Sequence, residues 1–315
     1  MRVAVTGGAG RLGRSVVVAL AAVGHDVLSL DRTITPNLTT AQHRVDLGDA
    51  DAVEAVFASF RPEGVIHLAA IAVPFSAPDR EILLTNTLLT HTVLEAATRH
   101  GANRVLVSSS PTVIGYGAPD GWAPIALPID EQHPRRPWNA YSLSKSVMED
   151  IVGLFVRQHG DTTTFGAFRP CYVVSPEEWL GAPTQQGHTM ADRLRDPALA
   201  AVSLFNYVDA RDVGAFVVAW LAAADIPNGT TFFVGAADAL ATRPVAELAA
   251  ETVPELGEAA AVLTGTAPVF STALAERLLD WRATRSWRTE LPADVLAELL
   301  ERASSDPDNR PVSVQ

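Results

Sequence analysis

The residues best placed to do chemistry are Tyr141 and Lys145, in the run Tyr141-Ser142-Leu143-Ser144-Lys145. Four positions apart, they would share one face of a helix. A cation near a phenol favours its ionised form and brings its pKa down towards neutrality, which would let Tyr141 exchange a proton with a substrate hydroxyl or carbonyl. The same spacing also fits a packed tyrosine beside a solvated lysine, so the pair needs support from the rest of the chain. The cluster Ser108-Ser109-Ser110 offers hydroxyls, of which Ser110 could bond a reacting oxygen, although serines also make ordinary turns. The third group is Gly7-Gly8-Ala9-Gly10-Arg11-Leu12-Gly13. Its glycines would let the backbone turn tightly and approach a pyrophosphate, whose charge would be met by the N–H groups at a helix start.

The elements that would position these residues follow an alternating pattern. Residues 2–6 read as a short buried strand, and Val16, Val17, Leu20 and Ala21 place a helix after the glycine turn. Residues 26–30 form a second strand ending at Asp31, where a carboxylate could bond the ribose hydroxyls of NAD and repel the 2′-phosphate of NADP. Arg32 and Arg11 could instead offer cations to such a phosphate, so NAD is expected ahead of NADP. An extended stretch at 44–47 ends in Asp46-Leu47, a helix is expected over 51–60, and a strand over 64–68 leads into Ala69-Ala70-Ile71-Ala72. Those small side chains suit either a backbone passing close to a cofactor or plain packing. A helix over 81–100 containing Asn86, a strand at 104–107, a helix from Tyr141 to about His159 and a strand at 163–169 continue the alternation. Residues 170–203 read as an irregular lid broken by Pro176, Pro183 and Pro197. It holds Gln185, Gln186, His188, Arg193 and Arg195, and a cation there could pair with an anionic end of a substrate. Strands at 205–208 and 231–234, a helix at 213–224 and helices near 244–252, 272–279 and 292–302 complete the chain. The fold expected is α/β, a Rossmann-type doubly wound parallel sheet with a smaller C-terminal substrate-binding cap. Residues 1–170 would be the dinucleotide-binding core, 171–303 a mixed region of core elements and lid, and 304–315 a disordered tail.

Composition narrows the partners. The chain has 315 residues, 48% of them hydrophobic, enough for a large core. A formal net charge of −12 argues against nucleic acid, whose phosphates need a basic stripe. One cysteine, Cys171, excludes a disulfide framework and any multi-cysteine metal site, and no metal is expected. The apolar run 16–23 is too short to span a bilayer, so the expected setting is the cytoplasm, with no membrane partner and a small-molecule substrate.

Taken together these motifs resemble the extended short-chain dehydrogenase/reductase family, the group containing nucleotide-sugar epimerases and dehydratases. The likeness rests on Thr6-Gly7-Gly8-Ala9-Gly10-Arg11-Leu12-Gly13, Asp31, Asp46-Leu47, His67-Leu68-Ala69-Ala70, Asn86, Ser108-Ser109-Ser110, Tyr141 with Lys145, and Tyr207-Val208-Asp209 with Asp212. It implies that Gly7, Gly10 and Gly13 bind pyrophosphate, Asp31 the ribose and Asp46 the adenine amino group. Arg11, Leu12, Arg32, Leu47, Ala69, Ala70 and Asn86 would complete the cofactor site. Tyr141 would be the acid/base, and Lys145 would hold the nicotinamide ribose and lower the phenol pKa. Ser110 would bond the substrate oxygen, beside Thr112, Tyr172, His188 and Arg193 in the substrate site. The family often dimerises through the helices containing Asn86 and Tyr141, so a homodimer is implied.

Two departures bear on substrate. The resemblance places Asn where this chain has Tyr172, and an arginine for a substrate diphosphate where it has Phe205. A diphosphate buried without charge partners costs several kcal/mol, which weakens a nucleotide-sugar reading. The segment Ser109-Ser110-Pro111-Thr112-Val113-Ile114-Gly115 looks closer to the uronate dehydrogenase branch. The readings are then a dehydrogenase or reductase moving hydride between NAD and a carbinol carbon of a small sugar-like or hydroxylated substrate, a nucleotide-sugar epimerase or dehydratase, or a non-catalytic dinucleotide-sensing regulator.

Overall fold

The computed structural model describes residues 1–36 and 38–305. The first strand, β1 (Arg2–Thr6), has Val3, Ala4 and Val5 buried, because helices cover both faces of a parallel sheet. After the glycine turn, α1 (Arg11–Ala22) presents Val16, Val17 and Leu20 to the core. Then come β2 (Asp26–Asp31), β3 (Ala41–Arg44), α2 (Ala50–Phe60), β4 (Gly64–His67), α3 (Asp79–Arg99) and β5 (Arg104–Ser108). The remaining core elements are α4 (Ala140–His159) and β6 (Thr164–Pro170). The lid contributes β7 (Tyr172–Val174), α5 (Pro176–Trp179), α6 (Met190–Arg195) and α7 (Pro197–Ala201). Beyond it, β8 (Tyr207–Asp209), α8 (Ala210–Ala222) and β9 (Thr230–Val234) return towards the core, and α9 (Val245–Thr252), α10 (Ala273–Leu279), α11 (Trp287–Glu290) and α12 (Ala293–Ser305) close the described chain.

Seven strands form one parallel sheet in the order β3-β2-β1-β4-β5-β6-β9, and β7 pairs with β8 in a separate parallel ribbon. Residues of α1 and α8 share one hydrophobic cluster, while residues of α2, α3 and α4 share the other, so the sheet is covered on both sides. At Gly214 of α8 a Cβ would fall 2.8 Å from the Ala19 Cβ of α1, which shows how closely those helices approach. The strand order reverses between β1 and β4, and in such sheets ligands bind beyond the carboxyl ends at that switch point.

The doubly wound expectation holds, with differences at four places. The third strand lies at 41–44 rather than 44–47, leaving Asp46 and Leu47 in the loop beyond it. The strand expected at 205–208 is Tyr207–Asp209, outside the main sheet, because Leu204 and Phe205 have φ of 53° and 59° and cannot extend. Residues 170–203, expected to be irregular, contain β7 and three short helices. At the C-terminus α12 continues to Ser305, past the start of the tail expected at 304, and residues 306–315 lie outside the described residues. Among the described residues, no helix is long and apolar enough to cross a membrane.

Candidate active site

The carboxyl ends of the central strands open onto a cleft of about 810 Å³. At one end lies the glycine turn. Gly7 has φ +72°, and a Cβ there would sit 2.8 Å from the Ala69 backbone nitrogen, so the β1 and β4 strand ends touch. At Gly13 a Cβ would come 2.0 Å from the Gly7 carbonyl oxygen, which explains how closely α1 abuts the turn. Gly10 caps α1 without a side-chain acceptor. Asp31, at the end of β2, accepts from the Ala9 N–H at 3.2 Å through Oδ2 and from the Thr33 N–H and hydroxyl at 3.2 and 3.3 Å through Oδ1. Gly7, Gly10, Arg11, Leu12, Gly13, Asp31, Arg32, Leu47, Ala69 and Ala70 all line the cleft.

Two residues of the implied cofactor set are elsewhere. Asp46 is exposed and does not line the cleft, and its Oδ1 takes the Gly48 N–H at 3.0 Å and faces Arg32 at 3.4 Å. Successive residues of extended chain point opposite ways, so Val45 and Leu47 enter the cleft and Asp46 turns outward. The Gly48 hydrogen bond, helped by Arg32, holds the Asp46 carboxyl below its ordinary range. Asn86 is fully buried behind the cleft wall. Its Oδ1 accepts from the Ile71 N–H at 2.7 Å, and its Nδ2 donates to the Ile71 carbonyl at 3.2 Å and to Ser144 Oγ at 2.9 Å, so it pins the loop after β4 to α4.

At the centre, Ser110, Tyr141 and Lys145 converge on the cleft, all buried. A capping box starts α4: the Asn139 side chain accepts from the Ser142 N–H at 2.9 Å, and Ser142 Oγ accepts from the Asn139 N–H at 3.2 Å. Tyr141 is thereby held in the first helical turn. One turn on, Lys145 Nζ lies 5.8 Å from the Tyr141 ring centre and donates to the Ser108 carbonyl at 2.8 Å. Ser110 Oγ accepts from the Thr112 hydroxyl at 3.0 Å and the Thr112 N–H at 3.3 Å.

The electrostatics differ from the sequence expectation. Burial pushes the Tyr141 phenol up to about 12, against a smaller downward pull from Ser110. The same burial pushes Lys145 down to about 7, with Glu149 opposing it. The lysine does not draw the phenol towards neutrality here, because desolvation acts on both groups and the ammonium is itself only part charged near neutral pH. Behind the lysine, Glu149 accepts from Ser109 Oγ at 2.6 Å and from both Arg169 Nε and a terminal Arg169 nitrogen at 2.8 Å. Glu149 escaped the sequence reading, though its position four residues beyond Lys145 put it on the same helix face. His67 is fully buried between Thr6 Oγ1 at 2.8 Å and Thr90 Oγ1 at 3.2 Å, and burial lowers its pKa to about 3, so it is a neutral packing group. No group of three His, Cys, Asp or Glu among the described residues could hold a metal ion.

At the lid end, Tyr172 and Thr112 line the cleft, whereas His188 and Arg193 do not. Arg193 is fully buried one layer back: it donates to Gln186 Oε1 at 2.7 Å and to Ser203 Oγ at 3.4 Å, and stacks 4.1 Å from the Tyr172 ring centre. Arg195 is on the surface, paired with Glu298 at 2.8 Å and Asp192 at 3.3 Å. Phe205 is buried outside the cleft lining. Trp138, Gln186, Ser203, Asn206 and Phe270 line this end, and only Gln186 had drawn notice in the sequence, because segments far apart in the chain supply them without a local spacing. An ion pair of Arg11 with Glu178 ties the first turn of α1 to the lid. The charged lining residues are Asp31 and Arg32 at the glycine-turn end, Arg11 where α1 meets Glu178 of the lid, and Lys145 at the centre; among the described residues the lid itself contributes no charged lining residue.

A parallel sheet in this order, a glycine turn at its switch point and a serine, tyrosine and lysine over the carboxyl edge together define the Rossmann-type short-chain dehydrogenase/reductase class. Within that class the chain belongs to the NAD dependent epimerase/dehydratase family, whose model matches residues 3–235. It is 33% identical over 169 residues to UDP-glucose 4-epimerase of Corynebacterium glutamicum, covering 52% of this chain and 49% of that protein. It is 32% identical over 166 residues to uronate dehydrogenase of Pseudomonas syringae pv. tomato, covering 51% and 56%. In both cases the chain spans about half the length of the relative it matches. The fold is shared with the crystal structure of UDP-glucose 4-epimerase from Thermotoga maritima with UDP-glucose, at a TM-score of 0.68 and 20% identity over 97% of this chain and 100% of that one. NAD is the cofactor of the family, and the residues fit it: the cradle at Gly7 and Gly13 is space a Cβ would fill, and Asp31 lines the cleft at the end of β2.

Proposed function

We propose that this protein is an NAD-dependent oxidoreductase acting on a carbinol or carbonyl carbon of a small, hydroxylated substrate. The observation that carries the reading is the convergence of Ser110, Tyr141 and Lys145 on a cleft to which the lid, among the described residues, contributes no charged lining residue. Bound NAD supplies the acceptor or donor of hydride. Gly7, Gly10, Gly13 and the first turn of α1 hold its pyrophosphate, and Asp31 the adenosine ribose. Ser110 hydrogen-bonds the substrate oxygen, with Thr112 holding the serine Oγ from behind. Tyr141 gives or takes the proton on that oxygen. Lys145, fixed by the Ser108 carbonyl one turn beyond the phenol, holds the nicotinamide ribose. Exposed Leu84 and Leu88 on α3 and Leu143 on α4 support the association of two copies through these helices.

A second reading, a nucleotide-sugar epimerase, is favoured by the likeness of about half the chain to UDP-glucose 4-epimerases. One experiment separates the two. Purified protein is incubated with NAD and a panel of sugar acids, polyols and nucleotide sugars, and the reduced nicotinamide absorbance is followed together with product composition. Stoichiometric reduction is expected; isomer formation without net reduction would replace the oxidoreductase with the epimerase.

A further inference from the structure

A fully buried guanidinium normally has a carboxylate partner, because an unpaired charge in the interior is strongly disfavoured. Arg193 has none among the described residues. Its Nε has no partner, and its other contacts are the Gln186 amide oxygen, the Ser203 hydroxyl and the Tyr172 ring. All three of those residues line the lid end of the cleft, and they come from three separate segments.

The guanidinium also decides what those residues can offer. Arginine only donates hydrogen bonds, so Gln186 must turn its carbonyl oxygen towards Arg193 and keep its two amide N–H donors for another partner. Ser203 accepts from Arg193, and its own hydrogen has the Ala200 and Asn206 carbonyls within 3.1 Å. At Gln186 the wall therefore presents two N–H donors, with a positive charge directly behind them. A group that complements it is an oxygen acceptor carrying negative charge.

We propose that Arg193 is a positioning residue for substrate selection: by orienting Gln186, and through its own unpaired charge, it makes the lid end select a substrate bearing a carboxylate away from the reacting carbon. This rests on the oxidoreductase reading above and deepens it by naming the substrate class. Arg193 acts through Gln186 rather than as a lining residue, and Arg195, already paired with Glu298, takes no part.

The test uses D-glucuronate, D-glucuronamide and D-glucose, which differ only at C6, in calorimetric titrations of the full-length protein loaded with NAD. The wild-type protein is expected to bind glucuronate at least 10-fold more tightly than either neutral probe. Gln186→Glu, at an exposed position, sets an internal carboxylate against Arg193 and should abolish that preference. Arg193→Met should bring the three affinities within about 3-fold of one another, and Arg193→Lys should retain part of the difference, each with unchanged NAD affinity as a check on folding. Equal or tighter binding of a neutral probe, no binding of any probe, or a preference that survives in both Gln186→Glu and Arg193→Met would overturn the proposal. Carboxylate-selective binding with no nicotinamide reduction by any substrate would count against the oxidoreductase reading and leave this inference standing. Turnover of neutral substrates with no preference for charge would do the reverse.

Discussion

At the glycine-turn end of the cleft, Gly7, Ala69 and Asp31 meet through backbone contacts and one carboxylate, whereas at the lid end Tyr172, Gln186 and Ser203 are brought together by the side chain of Arg193. The first arrangement uses atoms that every residue carries, made available by glycines where a Cβ would collide. The second uses long side chains from three segments and one buried charge. The difference in charge runs parallel. Asp31 and Arg32 line the first end and Arg11 stands between it and the lid, whereas the lid's own described lining residues are neutral with the Arg193 cation behind them. On the proposed reading, the first end would take a fixed ligand through the main chain and the second would discriminate through side chains that substitution can change one at a time.

The sharpest way to break this contrast is at the junction of the two ends. Tyr141→Phe removes the phenol oxygen and almost no packing, so turnover should fall by about two to four orders of magnitude while NAD affinity stays within about 2-fold. Steady-state kinetics beside an NAD titration check both halves. A variant retaining wild-type turnover on its true substrate would leave the serine–tyrosine–lysine reading without support.

At the glycine-turn end, Asp31→Ala should weaken NAD by about 1.5–3 kcal/mol, the range for hydrogen bonds to a charged acceptor, and shift preference towards NADP. The side chain also holds the Ala9 and Thr33 N–H groups, so part of the loss will come from a looser turn. The ratio of the two cofactor affinities isolates the ribose contribution. A wild-type protein that already prefers NADP would transfer the decision to Arg11 or Arg32, although Arg11 is engaged by Glu178 and Arg32 faces Asp46.

The same contrast explains what could be read from the sequence. The glycine turn, Asp31, Ser110 and the Tyr141–Lys145 pair are each set by spacing along one strand–turn–helix unit, and the structure brings them to a single cleft. The resemblance implies an adenine contact for Asp46, which lies in the loop beyond β3 and outside the cleft lining, its Oδ1 held by the Gly48 N–H. The resemblance implies a cofactor role for Asn86, whose amide bonds Ile71 and Ser144, contacts visible only once α3, α4 and the loop between β4 and α3 are packed. The lid was least legible. Which of Arg193 and Arg195 turns inward depends on the burial of α6, and Gln186, Ser203 and Asn206 meet only by long-range contact.

Between the two ends, Lys145 offers a pH test. Its pKa in the fold is about 7, well below the value of about 10.4 expected for an unfolded lysine. Below pH 7 both states hold the proton and the unfavourable burial of the ammonium is felt in full; between pH 7 and 10 the folded state releases it first, and stability rises. Relative to Lys145→Met, the wild-type protein should therefore gain stability above pH 7 with a slope approaching about 1.4 kcal/mol per pH unit. Denaturant unfolding of both proteins from pH 6 to 9 measures that difference, and a flat result would mean that the ammonium keeps an ordinary pKa.

The smallest expected effect is at the lid end, where a nucleoside diphosphate should do almost nothing. A diphosphate brings at least two negative charges that need cations or several donors, and here Phe205 is buried away from the cleft and the described lid lining is neutral. Arg193, one layer back and reached through a single amide, suits one carboxylate better than a pyrophosphate. If UDP binds with a Kd near 1 mM, then 1 mM UDP stabilises the folded state by only about 0.4 kcal/mol, whereas a Kd near 1 μM would give about 4 kcal/mol. For a protein of this size that separates a shift in Tm of about 0.6 °C from one of about 6 °C. Thermal unfolding of the NAD-loaded protein with and without 1 mM UDP should give the smaller shift. The larger one would return a diphosphate to the lid end and, with it, the nucleotide-sugar epimerase.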